Sequence, residues 1–200
     1  MEITLIPIKD GSLMGHDPNN NYGDGINTPI WHWSGGHARP IFAFNINQIP
    51  RGATIISATF SVYYYLKQSQ DPSWQKVWAY KITRNDWEEL QATWNIFKTS
   101  NSWTSAGGDF VTSNPVGGDQ VFPASYGWLN FNVKAIVEDA LANRINVNII
   151  TKFESEISTD SSNYFYSKEY ETDTSKRPKL VIEYEGGLLP RRKSFSILHV

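Results

Sequence analysis

β-branched and aromatic runs punctuated by Pro and Gly dominate the chain, and where hydrophobic residues alternate with a period of two they mark half-buried β-strands. The stretch 53–65, Ala-Thr-Ile-Ile-Ser-Ala-Thr-Phe-Ser-Val-Tyr-Tyr-Tyr, is β-branched and aromatic, and places Ile56, Ala58, Phe60 and Val62 on one face. A second such run covers 40–46, and Pro and Gly punctuate the chain between the two. Further strands are predicted at 75–81, 128–131, 147–153, 163–167 and 179–184; in the last, Leu180, Ile182 and Tyr184 alternate with Lys179, Val181 and Glu183. One segment departs from period two. Between 133 and 143, Val133, Ile136, Val137, Ala140 and Leu141 recur at helical spacing, with Asn132 as the expected N-cap and Asn143 or Asn146 closing the C-terminal end. A single helical turn is expected at 86–90. Two similar turn-into-strand corners are expected at Gly107-Gly108-Asp109-Phe110-Val111 and Gly117-Gly118-Asp119-Gln120-Val121. Many short strands with one helix predict an all-β, antiparallel β-sandwich rather than a β/α alternation.

Length and composition narrow the picture. Two hundred residues fit one domain, expected at 1–185, with 186–200 as a C-terminal arm. There is no cysteine, so disulfides, thiol catalysis and Cys-ligated zinc are excluded. Eighteen Lys and Arg against twenty Asp and Glu give a net charge of −2, which argues against nucleic acid as a partner. No apolar run reaches the length of a membrane span, and the opening residues Met1-Glu2-Ile3-Thr4 lack the basic start of a signal peptide. Synthesis and assembly in a cytoplasm are therefore expected. Aromatics make up 14% of the chain, which directs attention to Trp and Tyr.

An ordered set of local motifs resembles the DNRLRE-domain family, also met as disaggregatase-related carbohydrate-binding modules. The set comprises Asn21-Tyr22-Gly23, the Arg39–Ile46 strand, and Ile49-Pro50-Arg51-Gly52-Ala53-Thr54-Ile55-Ile56-Ser57-Ala58. It continues with Trp87-Glu88-Glu89, Thr93-Trp94-Asn95, Phe131-Asn132-Val133, Ser167-Lys168-Glu169 and Pro178–Tyr184. The resemblance spans 21–184 and implies a sandwich of jelly-roll type with one short helix. It also implies a non-catalytic part of a surface, adhesion or polysaccharide-processing protein, with similar domains in phage virions. Asn45 and Asn132 stand where the family carries acidic residues, so no metal role is carried over to them.

Candidate chemistry is sparse. Asp17, Asn19, Asn21 and Asp24 alternate as calcium ligands would, but an EF-hand register fails at Tyr22 and Thr28. A structural loop is expected there, with calcium as the alternative and no other cofactor. His16, His32 and His37 would need Asp17 or Asp24 to complete a zinc site, and ordinary surface or hairpin positions are expected instead. No Gly-x-Ser-x-Gly is present, and Glu88/Glu89 or Glu154/Glu156 are sequence neighbours rather than carboxylates facing across a cleft. The chain reads as a non-enzyme. Trp87 and Trp94 are expected to pack beneath their own loop. Trp31, Trp33, Trp74 and Trp103 are the candidate contact faces, for a glycan or for protein.

In the arm, Leu188, Leu189, Phe195, Ile197 and Leu198 surround Arg191, Arg192 and Lys193, which suits docking on a neighbouring subunit. Two functions follow. The first is a subunit of a larger assembly, such as a virion decoration protein, with other protein subunits as partners in a homo-oligomer or particle. The second is a glycan-binding or adhesion module acting outside the cell or at its surface. No membrane insertion is expected in either.

Overall fold

The computed structural model describes residues 1–69, 75–156 and 161–188. Its strands are β1 (Glu2–Leu5), β2 (Lys9–Met14), β3 (Asn27–Trp33), β4 (Gly36–Phe44), β5 (Arg51–Lys67), β6 (Lys76–Ile82), β7 (Ile96–Lys98), β8 (Asn101–Ser102) and β9 (Phe110–Val121). After β10 (Gly127–Asn132) come helix α1 (Lys134–Asn143), β11 (Val147–Phe153), β12 (Ser161–Tyr166) and β13 (Lys179–Leu188). Eleven strands form one curled antiparallel sheet in the order β1-β13-β5-β12-β3-β4-β11-β6-β9, with β10 added to β5 and β2 to β4. The β3–β4 hairpin links its two walls. One wall carries β1, β13, β5, β10 and β12; the other carries β2, β4, β11, β6 and β9.

The inner faces meet over an aromatic core. Phe60 of β5 lies 4.9 Å from Phe42 and 5.7 Å from Phe44 of β4, and stacks on Phe131 of β10. Phe122 joins Phe153 and Phe165. Each such ring, fully buried, contributes roughly 1.5–3 kcal/mol relative to exposure. Helix α1 packs against β5, β9 and β11, and buries Ile136, Val137 and Ala140 across one end of the core. Its N-cap is Val133, one residue beyond the expected Asn132. The Asn132 side-chain oxygen still accepts from the Lys134 N–H, at 3.1 Å. The helix ends on Arg144, whose left-handed conformation lets its N–H reach the Ala140 and Leu141 carbonyls, so neither Asn143 nor Asn146 is the terminator.

Three local expectations change. First, Ile56 is 43% exposed while Ile55 is 2% exposed. The β5–β13 register steps from Ser57↔Glu183 to Ile55↔Tyr184, so Ile56 is the extra residue of a β-bulge and reverses the parity before it. Second, Gly117-Gly118 lies inside β9 and is not a corner. A Cβ on Gly117 would stand 2.7 Å from the Ala79 carbonyl oxygen, so glycine lets β9 approach β6 closely. Third, β13 does not stop at Tyr184. It runs on through Gly186 and Gly187, both at positive φ, to pair Leu188 with Arg51.

The outer face of the β4–β11 wall is covered. The segment between β6 and β9 folds back over it and buries Trp87, Ala92, Phe97 and Trp103 on Leu13, Ile41, Ala43, Ile82 and Ile150. β11 is consequently buried on both faces. The two buried indoles have acceptors: Trp87 donates to Asn148 Oδ1 at 2.8 Å, and Trp103 to the Thr93 carbonyl at 2.9 Å.

Candidate functional site

The outer face of the opposite wall carries a row of partly exposed aromatic rings. Phe60, Val62 and Tyr64 of β5 point into the core, so alternation turns Tyr63 and Tyr65 outward. β10 pairs Trp128 directly with Tyr63, and their rings meet edge to face at 5.3 Å. On the other edge of β5, Tyr166 of β12 stacks on Tyr65 at 3.9 Å with the planes 5° apart. Tyr170, in the turn after β12, stacks on the other side of Tyr166 at 3.6 Å. Three strands side by side make this row about 10 Å wide.

Two lysines border the row. Lys179 Nζ lies 4.2 Å from the Trp128 ring, and Lys176 Nζ 5.2 Å from the Tyr63 ring. Lys176 is placed by a short 3-10 turn, Thr174–Lys176, capped by Asp173. Arg177 Nε donates to the Tyr170 carbonyl at 2.7 Å and fixes this turn against the stack. Burial, then the hydrogen bond with Tyr170, push the Tyr166 phenol well above its ordinary value. Burial raises Tyr65 as well. Both hydroxyls therefore stay protonated at neutral pH and can donate. Beside them, Ser61 Oγ donates to Asn130 Oδ1 at 2.7 Å on the same outward face. The arrangement offers ring surface, phenolic hydroxyls and ammonium donors on a rigid sheet.

The tryptophans singled out from the sequence are dispersed. Trp33 is 44% exposed at the tip of the β3–β4 hairpin, while Trp31 is buried against His16, Met14 and Ala38. Trp103 is in the second core at 4% exposure and presents no face, because its indole N–H needs the Thr93 carbonyl beneath the covering segment. Trp74 lies outside the described residues, as do Leu189, Arg191, Arg192, Lys193, Phe195, Ile197 and Leu198. Trp87 is core, as its motif implied, whereas Trp94 stays half-buried beneath the Arg39 guanidinium. The rings of the open row were missed. The signal was the Tyr63-Tyr64-Tyr65 triplet, where one core-facing ring compels two outward ones.

The Asp17–Asp24 loop directs its polar atoms to protein. Asp17 Oδ2 accepts from the Tyr22 hydroxyl and from Asn20 Nδ2, both at 2.6 Å. That bond lowers Asp17 below the usual carboxylate value and pushes Tyr22 up to about 12. Asn19 Oδ1 accepts from Asn95, and Asn21 Nδ2 bridges the Glu89 and Ala92 carbonyls at 2.7 Å each. Asp24 is exposed. The histidines diverge too: His16 meets Trp31, His32 Nε2 pairs with Gln75 Oε1, and His37 faces Trp94.

The candidate acid pairs are held in ion pairs and hydrogen bonds. Glu88 meets Lys9, Glu154 accepts from the Trp78 indole, and Glu156 takes a two-point hydrogen bond from Arg39 at 2.8 and 2.7 Å. Burial raises Glu156, but the Arg39 bonds and charge, with Lys152, more than offset it and hold the carboxyl below its ordinary value. Carboxylates do gather elsewhere: Asp10, Glu89 and Glu169 bring oxygens within 4.8 Å of one another. Burial, then the charge of Glu169, push Asp10 well above the carboxylate range despite Lys168.

Compared with known proteins, residues 2–184 match a family model described as carbohydrate-binding module family 96. No curated protein gives a match.

Proposed function

Since the chain belongs to carbohydrate-binding module family 96, we propose that it binds a glycan, without turning it over, on the open aromatic row of β5, β10 and β12. The observation that carries this reading is five partly exposed aromatic rings, Tyr63, Tyr65, Trp128, Tyr166 and Tyr170, gathered on one sheet face and bordered by the loop after β12. Sugar rings present apolar C–H surfaces flanked by hydroxyls. Ring surface beside neutral phenols and the Lys176 and Lys179 ammoniums complements both halves of that pattern. The rings are already stacked on one another and anchored in strands, so little side-chain freedom remains to be lost on binding. Family membership, being that of non-catalytic binding modules, supports the absence of turnover.

The test is affinity electrophoresis against a panel of soluble polysaccharides. The wild-type chain is expected to be retarded by at least one of them. Trp128→Ala and Tyr166→Ala should each weaken that retardation about tenfold, corresponding to about 1.4 kcal/mol. Retention of full affinity in both variants, with loss in Trp33→Ala, would move the site to the β3–β4 hairpin. The alternative reading, a subunit of a larger particle, rests on the arm from Leu188 onward, of which all but Leu188 lies outside the described residues.

A further inference from the structure

Three segments far apart in sequence, two of them carrying the Trp87-Glu88-Glu89 and Ser167-Lys168-Glu169 motifs, converge on one spot beside the second core. Asp10 lies in β2, Glu89 in the turn after Trp87, and Glu169 in the turn after β12. Backbone N–H groups hold two of the carboxylates: the Asp10 N–H donates to Glu89 Oε1 at 2.7 Å, and the Lys168 N–H to Asp10 Oδ2 at 2.7 Å. Gly23 packs closely against this turn, since a Cβ there would fall 2.1 Å from the Glu89 carbonyl oxygen.

The hydrogen-bond accounting leaves a specific deficit. Lys168 Nζ serves Glu89 Oε1 at 3.0 Å and also meets Glu169 Oε1. Asp10 Oδ1 and Glu169 Oε2 are buried and carry no hydrogen bond. Asp10 itself is only 1% exposed. The three acidic groups share one ammonium, so ionising all three would leave two negative charges for an added cation to meet. Unpaired buried oxygens of this kind cost several kcal/mol when charged, and their count and charge match one divalent ion.

We propose that Asp10, Glu89 and Glu169 form a binding site for a hard divalent cation, calcium in preference to magnesium. Oxygens on opposite sides of a calcium ion at about 2.4 Å stand about 4.8 Å apart, and the three carboxylates fall within that span. The donors among the three are all carboxylate oxygen, which disfavours zinc and copper. Magnesium keeps several of its waters, for which an aspartate this deeply buried leaves little room. The bound ion would tie β2 and the turn after β12 to the segment that covers the β4–β11 wall. The site requires no glycan.

The test uses the full chain, stripped with a chelator and melted with and without calcium chloride or magnesium chloride, in the absence of polysaccharide. Calcium at a hundredfold excess over its dissociation constant is expected to raise the melting temperature by about 5–10 °C. The rise should vanish in Asp10→Asn and Glu169→Gln and persist in Trp128→Ala. Terbium luminescence, excited through aromatic side chains, is the second measurement and needs only the wild-type chain: a single saturable site displaced by calcium is expected. No saturable terbium site and no calcium-dependent shift would overturn the assignment. So would an Asp10→Asn chain that responds to calcium as the wild type does.

Discussion

The outer faces of the two walls carry similar residues and meet different fates. On the β4–β11 wall, the chain between β6 and β9 returns over the sheet, and Trp87, Phe97 and Trp103 become a second core. On the β5–β10–β12 side, the loop after β12 lies against the row without burying it, and Tyr63, Tyr65, Trp128, Tyr166 and Tyr170 stay partly exposed. Polar groups follow the same division. The buried indoles of the covered wall donate to Asn148 and to the Thr93 carbonyl, while lysines border the rings of the open wall. An aromatic residue here is buried or partly open according to how far a segment covers it, not according to its type.

The largest expected effect tests the covered side. Trp87→Ala removes a 1%-exposed ring and strands Asn148 Oδ1, and should cost about 3–5 kcal/mol in denaturant unfolding. A loss below about 1 kcal/mol would mean the covering segment contributes little. Arg39→Ala comes next, at about 3 kcal/mol, because Glu156 would be left buried without its two-point partner. Trp128→Ala should reverse the pattern, with about a tenfold loss of glycan affinity and a smaller stability loss than Trp87→Ala.

A pH series sharpens the Arg39 result. Glu156 is held below its ordinary value of 4.5, so its contribution to stability is complete above that pH. It is lost as pH falls through the lowered folded value. Wild-type stability should therefore drop on the acid side of about 4.5, and Arg39→Ala should show a shallower drop there. Trp33→Ala should do least, changing stability by under about 0.5 kcal/mol and leaving glycan affinity intact.

Much of this division was legible in the sequence. The runs at 40–46, 147–153 and 179–184 are rich in β-branched and aromatic residues, and each falls wholly or largely in a strand. The helix at 133–143 follows from five apolar residues at helical spacing. Parity failed where pairing geometry intervened: the bulge at Ile56 depends on its partner β13, which period-two reasoning within β5 does not see. Gly117 marks close approach to Ala79 rather than a turn, again a property of the neighbouring strand. For the site, the exposed row was implicit in Tyr63-Tyr64-Tyr65, but Trp103 beside a polar turn gave no sign of a segment folding over it. The convergence of Asp10, Glu89 and Glu169 spans the chain, and no local spacing encodes it.

The contrast between the two walls is measured most directly in one sample, by following the eight tryptophan indole N–H signals in NMR during titration with a retarding polysaccharide. The Trp128 signal is expected to move while those of Trp87 and Trp103 stay fixed. Movement confined to Trp33 or Trp31, or a Trp128 signal that does not respond to a glycan the chain binds, would contradict the assignment of the open face as the binding surface.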